Sequence, residues 1–480
     1  MEEYRREWFS NFGTDLVAGI VTCMALIPEA IGFTIVAGVD PMVGVYSCFT
    51  MSLVTAIFGG RPGMVSAAAG SMAFVLASLV RDYGIEYMLL ATILAGIFQI
   101  VFGFLKIGKL LKFIPKPVMI GFVNALGIMM LKAQLPHFEG SYILVILGVI
   151  GVAIIYLLPR VTKIIPAPIV AIVVITIIVF ISKIDVPTLG DMGKITTELP
   201  KFLIPNVPLN LETLRIILPY SFSLSIVGLV ESLLTAQLVD DSTDTRSNKN
   251  RECVGQGLAN VVTGFFGGIA GCGMIGQTII NQEYGGRGRL STLTPGTVML
   301  IFVILFNKLF TRMPVVALAS VMIVVAITTF NWNSLRTLSK VPITDTIVMI
   351  VTVIIVLLTN NLAYGVIVGI ILSSVFFASR VSRIEVNKIT EGNTTRYSIK
   401  GPLFFASTSD FMDEFDYHEK VEEVNIDLSN TNIYDESAVD AIDKVIMKFK
   451  KNSIKVSISG MNDASKSLVN KISTNYKDIV

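Results

Sequence analysis

The chain has 480 residues, 53% hydrophobic and 15% charged, with a formal net charge of +2 and a mean hydropathy of +0.71; soluble proteins carry about 25% charged residues, so an ordinary soluble enzyme is excluded. Residues 1–383 hold 46 charges (26 basic, 20 acidic) and residues 384–480 hold 28 (12 basic, 16 acidic), which predicts a membrane body followed by a soluble tail. The small basic excess of the body suits membrane-protein loops and forms no stripe for nucleic acid.

In chain order, Met1 to Glu7 carries charges of both signs and lacks the pattern of a cleaved signal, so the first apolar stretch is expected to be retained. Fourteen apolar runs follow, at 15–35, 41–59, 66–80, 88–105, 114–132, 143–158, 166–183, 213–238, 252–267, 272–284, 292–310, 314–329, 344–359 and 363–380. Basic residues gather in alternate connections: Arg61; Lys106, Lys109, Lys112 and Lys116; Arg160 and Lys163; Arg246, Lys249 and Arg251; Arg287 and Arg289; Arg336 and Lys340; Arg380 and Arg383. Retention of basic loops in the cytoplasm then places both termini inside a multi-pass protein of the plasma membrane.

Two runs are too short to cross. Ser66–Val80 spans about 22 Å as helix and Cys272–Tyr284 about 20 Å, against about 30 Å of hydrocarbon. Each follows the same phrase, Phe58-Gly59-Gly60 in the first case and Phe266-Gly267-Gly268 in the second, 208 residues later. Short, glycine-interrupted segments at matching places in two halves predict an inverted-repeat transporter with its site at the midplane. A half-helix starting inside the membrane aims unpaired N–H groups and a positive dipole end at whatever lies before it, an anion site that needs no cationic side chain. The expected tips are Ala67 to Ser71 and Cys272 to Gly276, whose small residues let backbone approach a ligand; tight helix packing would use the same residues.

Two acids lie within apolar runs, Glu231 with Gly228 and Thr235 on its face, and Glu29 with Thr22 and Gly32 on its face. An ionised carboxylate at the bilayer centre costs about 2.5–3.5 kcal/mol on insertion scales, so such residues are expected to face a cavity or to take part in ion or proton movement. Coupling or gating is expected at Glu231 and Glu29; Thr235 offers a sodium ion a second oxygen, leaving proton and sodium both open. Cys23, Cys48, Cys253 and Cys272 stand far apart without a CxxC pair, and His137 and His418 are the only histidines, so no metal centre or cofactor is expected. Gly103 to Lys109 reads G-x-x-x-x-G-K, but Leu110 follows where a phosphate loop needs Ser or Thr.

From Ile384 the pattern turns to soluble α/β. Strands are expected at Thr395–Ile399, Leu403–Phe405, Glu423–Leu428 (central) and Lys455–Ser459. Helices are expected at Ser409–Glu414, Asp435–Lys450 and Ala464–Ile472, the second burying Ala438, Ile442, Val445, Ile446 and Phe449.

The phrases Asp15–Gly19 (DLVAG), Ile27–Ala30 (IPEA), Ala37–Tyr46 (AGVDPMVGVY), Gly228–Asp240 (GLVESLLTAQLVD), Asn250–Asn260 (NRECVGQGLAN) and Gly267–Thr292, with the tail, resemble the sulfate permease (SulP) family of anion transporters carrying a C-terminal STAS domain. The resemblance implies seven plus seven segments in inverted orientation. Segments 1–4 and 8–11 would form a core that moves as an elevator against a gate of segments 5–7 and 12–14, commonly in a homodimer. Carried over by position, the substrate site falls on Ala69, Gly70 and Ser71 of the third segment and on Gly273, Met274 and Ile275 of the tenth. The coupling acid falls on Glu231, with Thr235 one turn on. Gln277 stands where several relatives carry a basic residue, so a fixed positive charge beside the anion is missing. Asp435, Glu436 and Ser437 occupy the loop that holds a phosphorylated serine in anti-sigma-factor antagonists; Ser437 is either a regulated residue or the cap of the following helix. The expected activity is secondary transport of a small anion such as sulfate, bicarbonate or a dicarboxylate, with protons. A sodium-coupled symporter, an anion exchanger, an uncoupled conductor and a membrane ligand sensor are the alternatives.

Overall fold

The computed structural model describes residues 2–106, 108, 114–162 and 166–474, so Lys109, Lys112 and Lys163 lie outside the described residues. Its internal contacts divide the chain after Ile370 into two units.

The first unit opens with α1 (Glu2–Phe9), α2 (Phe12–Ala37) and α3 (Pro41–Phe58), followed by a short strand β1 (Ser66–Ala68) and α4 (Gly70–Tyr83). Next come α5 (Ile85–Phe104), α6 (Lys116–Gln134), α7 (Tyr142–Val161), α8 (Ala167–Ser182) and the single turn α9 (Leu189–Met192). The second half repeats the plan: α10 (Leu211–Thr243), α11 (Lys249–Phe265), β2 (Gly271–Gly273) with α12 (Ile275–Glu283), and α13 (Arg289–Leu305). It closes with α14 (Asn307–Thr311), α15 (Val315–Thr329), α16 (Trp332–Thr337) and α17 (Ile343–Thr359), and α18 (Leu362–Val381) begins in this unit and runs on past Ile370. Eight of the described helical stretches are long and apolar enough to cross a membrane, and α8, α13 and α17 are shorter apolar helices. Helices α6, α8, α15 and α17 each start directly after a proline, Pro115, Pro166, Pro314 and Pro342. The fixed φ of proline suits a helix entry, and its missing N–H leaves no donor unpaired there.

Packing separates these elements into two groups. Helices α2 to α5 pack with α10 to α13, through α5 on α11, α3 on α13 and α2 on α13, whereas α6 packs with α15 and α17 and α7 with α8 and α15. Helix α18 joins the second group, since Gly369 abuts Val118 of α6 and Thr352 of α17. The contacts come in matched pairs seven segments apart: α5 on α11 answers α3 on α13, α5 on α10 answers α2 on α13, and α2 on α3 answers α10 on α11. This is the core and gate division of an inverted repeat.

Each expected half-helix begins later than the sequence suggests. Ser66–Ala68 and Gly271–Gly273 are extended and pair antiparallel, Ser66 opposite Gly273, so the helical tips lie at Gly70 and Ile275. Helices α1, α9 and α16 had no counterpart among the expected elements, because none is long enough to leave a hydropathy signal, and the single run expected at 292–310 is divided after Leu305 into α13 and α14.

The second unit holds a four-stranded sheet in the order β3 (Glu385–Glu391), β4 (Thr394–Leu403), β5 (Glu423–Ile433), β6 (Lys455–Ser459), with β3–β4 antiparallel and the other pairs parallel. The helices are α19 (Thr408–Asp413), α20 (Glu436–Lys451) and α21 (Asp463–Ile472). Strand β3 was not expected, since its exposed alternation buries almost nothing. The two strands expected between Thr395 and Phe405 are one strand with a bulge near Lys400. The predicted apolar side of α20 is fully buried against Tyr397, Phe411 and Ile426.

Asp435, not Ser437, caps α20: its carboxylate accepts from Ala438 N at 2.9 Å and from Phe405 N at 2.8 Å, while Ser437 is exposed. Asp435→Ala is therefore expected to destabilise this unit by about 1–2 kcal/mol. Ser437→Ala should be silent in the same thermal melts of the full chain.

Candidate functional site

Two short strands inside an apolar bundle carry edge N–H and C=O groups that lipid cannot satisfy, and each such group costs several kcal/mol if left bare. Side chains of the surrounding helices supply the partners. Asn260 of α11 accepts from Gly271 N at 2.9 Å and donates to Gly271 O at 3.0 Å and to Gln99 Oε1 at 2.9 Å. Ser232 Oγ accepts from Gly273 N at 2.8 Å, Thr278 Oγ1 accepts from Val65 N at 3.0 Å, and Ser47 Oγ donates to Ile269 O at 2.5 Å. The turn before β1 is held from the second repeat, with Glu252 accepting from Gly60 N at 2.7 Å and Arg61 N at 3.0 Å. Close approach forces the choice of Gly271, where a Cβ would lie 2.4 Å from Ala67 O.

Glu231 ties this assembly together. Its carboxylate accepts from Ser71 Oγ at 2.5 Å and from Cys272 Sγ at 3.2 Å, so α10 is joined to one residue at the tip of α4 and one in β2. Thr235 Oγ1 lies within hydrogen-bonding distance of Glu231 O at 2.8 Å and Gly273 O at 3.1 Å. Beside these groups lies a cavity of about 480 Å³ between the two helical tips and the gate helices α6 and α15. Gly70, Glu29 and Glu231 line it together with Met274, Ile275, Gly276 and Gln277. The amides of Ile275, Gly276 and Gln277 precede Thr278 N, the first intrahelical donor of α12, which is bonded to Met274 O at 3.1 Å, so they are free to meet a ligand. Among the described residues no lysine or arginine lines this cavity.

Six of the ten residues singled out from the sequence therefore border one cavity: Gly70, Met274, Ile275, Gln277, Glu231 and Glu29. Ala69, Ser71, Gly273 and Thr235 stand behind it: Ala69 is the N-cap of α4, and the other three are engaged in the bonds above. Sequence reasoning placed Cys272 in the expected second tip without seeing that its thiol meets Glu231, and it passed over Asn260, although that residue lies in a quoted phrase. Gly276, part of the same expected tip, lines the cavity, and a Cβ there would meet nothing within 4 Å. A larger cavity of about 910 Å³ opens one turn further along α2 and α4, at Val36, Phe74 and Arg81, and touches neither tip.

Residues 12–143 and 140–352 match the pattern of the Sulfate permease family, and residues 385–476 that of the STAS domain. The chain belongs to the sulfate permease family. Among sulfate permease relatives, YbaR of Bacillus subtilis (strain 168), a candidate sulfate transporter by its name, is 51% identical over 470 residues, covering 98% of each chain. The Bicarbonate transporter BicA of Picosynechococcus is 29% identical over 415 residues, 79% of this chain and 73% of BicA. The solved transmembrane domain of a cyanobacterial BicA superposes with a TM-score of 0.68 at 28% identity, over 76% of this chain and 98% of that one. The murine Solute Carrier 26 family member A9 anion transporter, solved in its inward-facing state, matches with a TM-score of 0.85 at 16% identity over 98% of this chain and 89% of its own, a likeness of fold. Fold and family together make this a multi-pass membrane protein of an anion-transporter family with a C-terminal STAS domain.

Proposed function

We propose that the chain is a secondary active transporter that carries a small oxyanion together with a proton, by moving the core past the gate. The observation that carries this reading is the cavity where two interrupted spans meet, with Glu231 hydrogen-bonded to Ser71 and Cys272 beside it. Free amides at the tips hold the anion, and Glu231 exchanges the coupling proton. The division of contacts into α2–α5 with α10–α13 and α6–α8 with α15–α18 supports an elevator motion, since the cavity lies on the boundary. A proton suits the coupling position better than sodium because one of the two donors on Glu231 is a thiol, whereas hard cations select oxygen. The names of the relatives, sulfate and bicarbonate transporters, bracket the substrate class.

In the same reading residues 1–383 transport and residues 384–480 form a cytoplasmic STAS domain, both termini lie in the cytoplasm, and the protein works as a homodimer in the plasma membrane. Deleting residues 390–480 is expected to weaken assembly or turnover while leaving substrate preference unchanged, as measured by size-exclusion chromatography and by competition between anions. The test of coupling is counterflow and net uptake of labelled sulfate, hydrogencarbonate, chloride and dicarboxylates in proteoliposomes, with and without a pH gradient. Uptake that follows the pH gradient is expected; uptake indifferent to both proton and sodium gradients would leave an exchanger or uncoupled conductor.

A further inference from the structure

The cavity offers a ligand two kinds of polar group. The donors are the amides at the tip of α12, the Nε2 group of Gln277 being turned to Glu29. The acceptors are the carboxylate of Glu29 and Oε1 of Gln277. Gln277 is 1% exposed and its amide group faces the Glu29 carboxylate as a side-chain hydrogen-bond neighbour; neither of its amide atoms has any other partner. Glu29 is half-buried, and among the described residues Gln277 is the side chain placed to donate to it, which leaves its remaining lone pairs to the cavity. The other carboxylate, Glu231, is already served by Ser71 and Cys272, and the hydroxyl of Thr235 is directed to main-chain carbonyls.

An acceptor-only ligand leaves such a site unbalanced. Sulfate and nitrate at neutral pH have oxygen acceptors and no proton, so either one pairs with the donors and presses lone pairs against Glu29 and Gln277 Oε1. A dianion adds a second penalty, because Glu29 and no cationic side chain among the described residues line the cavity beside the proton-exchanging Glu231. An anion that keeps one hydroxyl satisfies both sets: its bare oxygens take the amides, and its O–H donates to Glu29 or to Gln277 Oε1.

We propose that Glu29, seconded by Gln277, is a specificity-determining residue that makes the site select a monovalent oxyanion bearing one O–H donor, of the hydrogencarbonate kind, over anions that only accept. The proposal rests on the half-helix tips being the anion site. Sites built to pair a ligand's hydroxyl discriminate strongly against analogues that lack it, since the buried acceptor is then left without a partner.

The experiment is counterflow of labelled hydrogencarbonate by the full chain in proteoliposomes, competed by unlabelled hydrogencarbonate, nitrate or sulfate at one fixed pH. Nitrate shares the planar shape and single charge of hydrogencarbonate but carries no O–H. The wild type is expected to prefer hydrogencarbonate to nitrate by at least about tenfold, and to sulfate by more. In Glu29→Gln, whose amide can donate, the hydrogencarbonate-to-nitrate ratio should fall to within about threefold, whatever happens to absolute affinity. Gln277→Leu, which removes the second acceptor without changing charge, should lower the same ratio, so the inference survives a failure of either variant to fold. Nitrate or sulfate competing as well as hydrogencarbonate in the wild type, or a ratio unchanged in both variants, overturns the selectivity and leaves the site standing. No competition by any anion overturns the site itself and this inference with it.

Discussion

Glu231→Gln is expected to abolish uphill uptake while leaving exchange of anion down its own gradient measurable. Each pH unit across the membrane carries about 1.4 kcal/mol, a tenfold accumulation for one proton moved with one monoanion. In the variant that ratio should fall to one, because the amide has no proton to exchange. The substitution is nearly isosteric, and its oxygen still accepts from Ser71 and Cys272, so the contacts across α4, β2 and α10 are kept. Melting temperature and dimer fraction should therefore match the wild type. Retention of pH-driven accumulation by Glu231→Gln removes this residue from the coupling step; a collapse of the fold instead identifies it as a structural strut.

Gly276→Leu is expected to abolish anion binding with no loss of stability. A Cβ at this position meets no atom within 4 Å, and the glycine opens onto the cavity of about 480 Å³, so a leucine there occupies the space in front of the α12 amides. A loss of more than about 100-fold in affinity, equal to about 2.7 kcal/mol, is expected in competition counterflow. Replacing a helical glycine favours the helix by up to about 1 kcal/mol, so the melting temperature should hold or rise. Gly70 and Gly273 are less decisive targets. A Cβ on Gly70 would lie 2.6 Å from the ring of Phe33, and one on Gly273 would lie 3.1 Å from Met64 and from the main chain of Ser232, so either change also disturbs packing.

Most of the expected membrane segments were legible because length and apolar runs select them, and the two broken ones betrayed themselves by being too short. Glu231 and Glu29 were legible for a similar reason, a charge standing in an apolar run. The three-residue strands β1 and β2 were not, since Ser-Ala-Ala and Gly-Cys-Gly have neither the period nor the branched side chains that mark a strand. What each acid touches was also hidden, because Ser71 and Cys272 lie 160 and 41 residues from Glu231 and meet it only through the fold. Helical spacing put Thr235 beside Glu231 correctly but could not tell that its hydroxyl turns to main-chain carbonyls instead of the cavity. In the tail, Asp435 and Ser437 are equally good caps by residue type, and only the turn from β5 into α20 decides between them.

Gly276→Cys puts a thiol in front of the α12 tip, while all four native cysteines are buried. Reaction of that thiol with a charged methanethiosulfonate reagent in proteoliposomes, measured across a series of hydrogencarbonate concentrations, reports directly whether the anion sits between the tips of α4 and α12. Protection that is half-complete at the concentration giving half-maximal counterflow is expected; a modification rate indifferent to every transported anion would show that the ligand binds elsewhere.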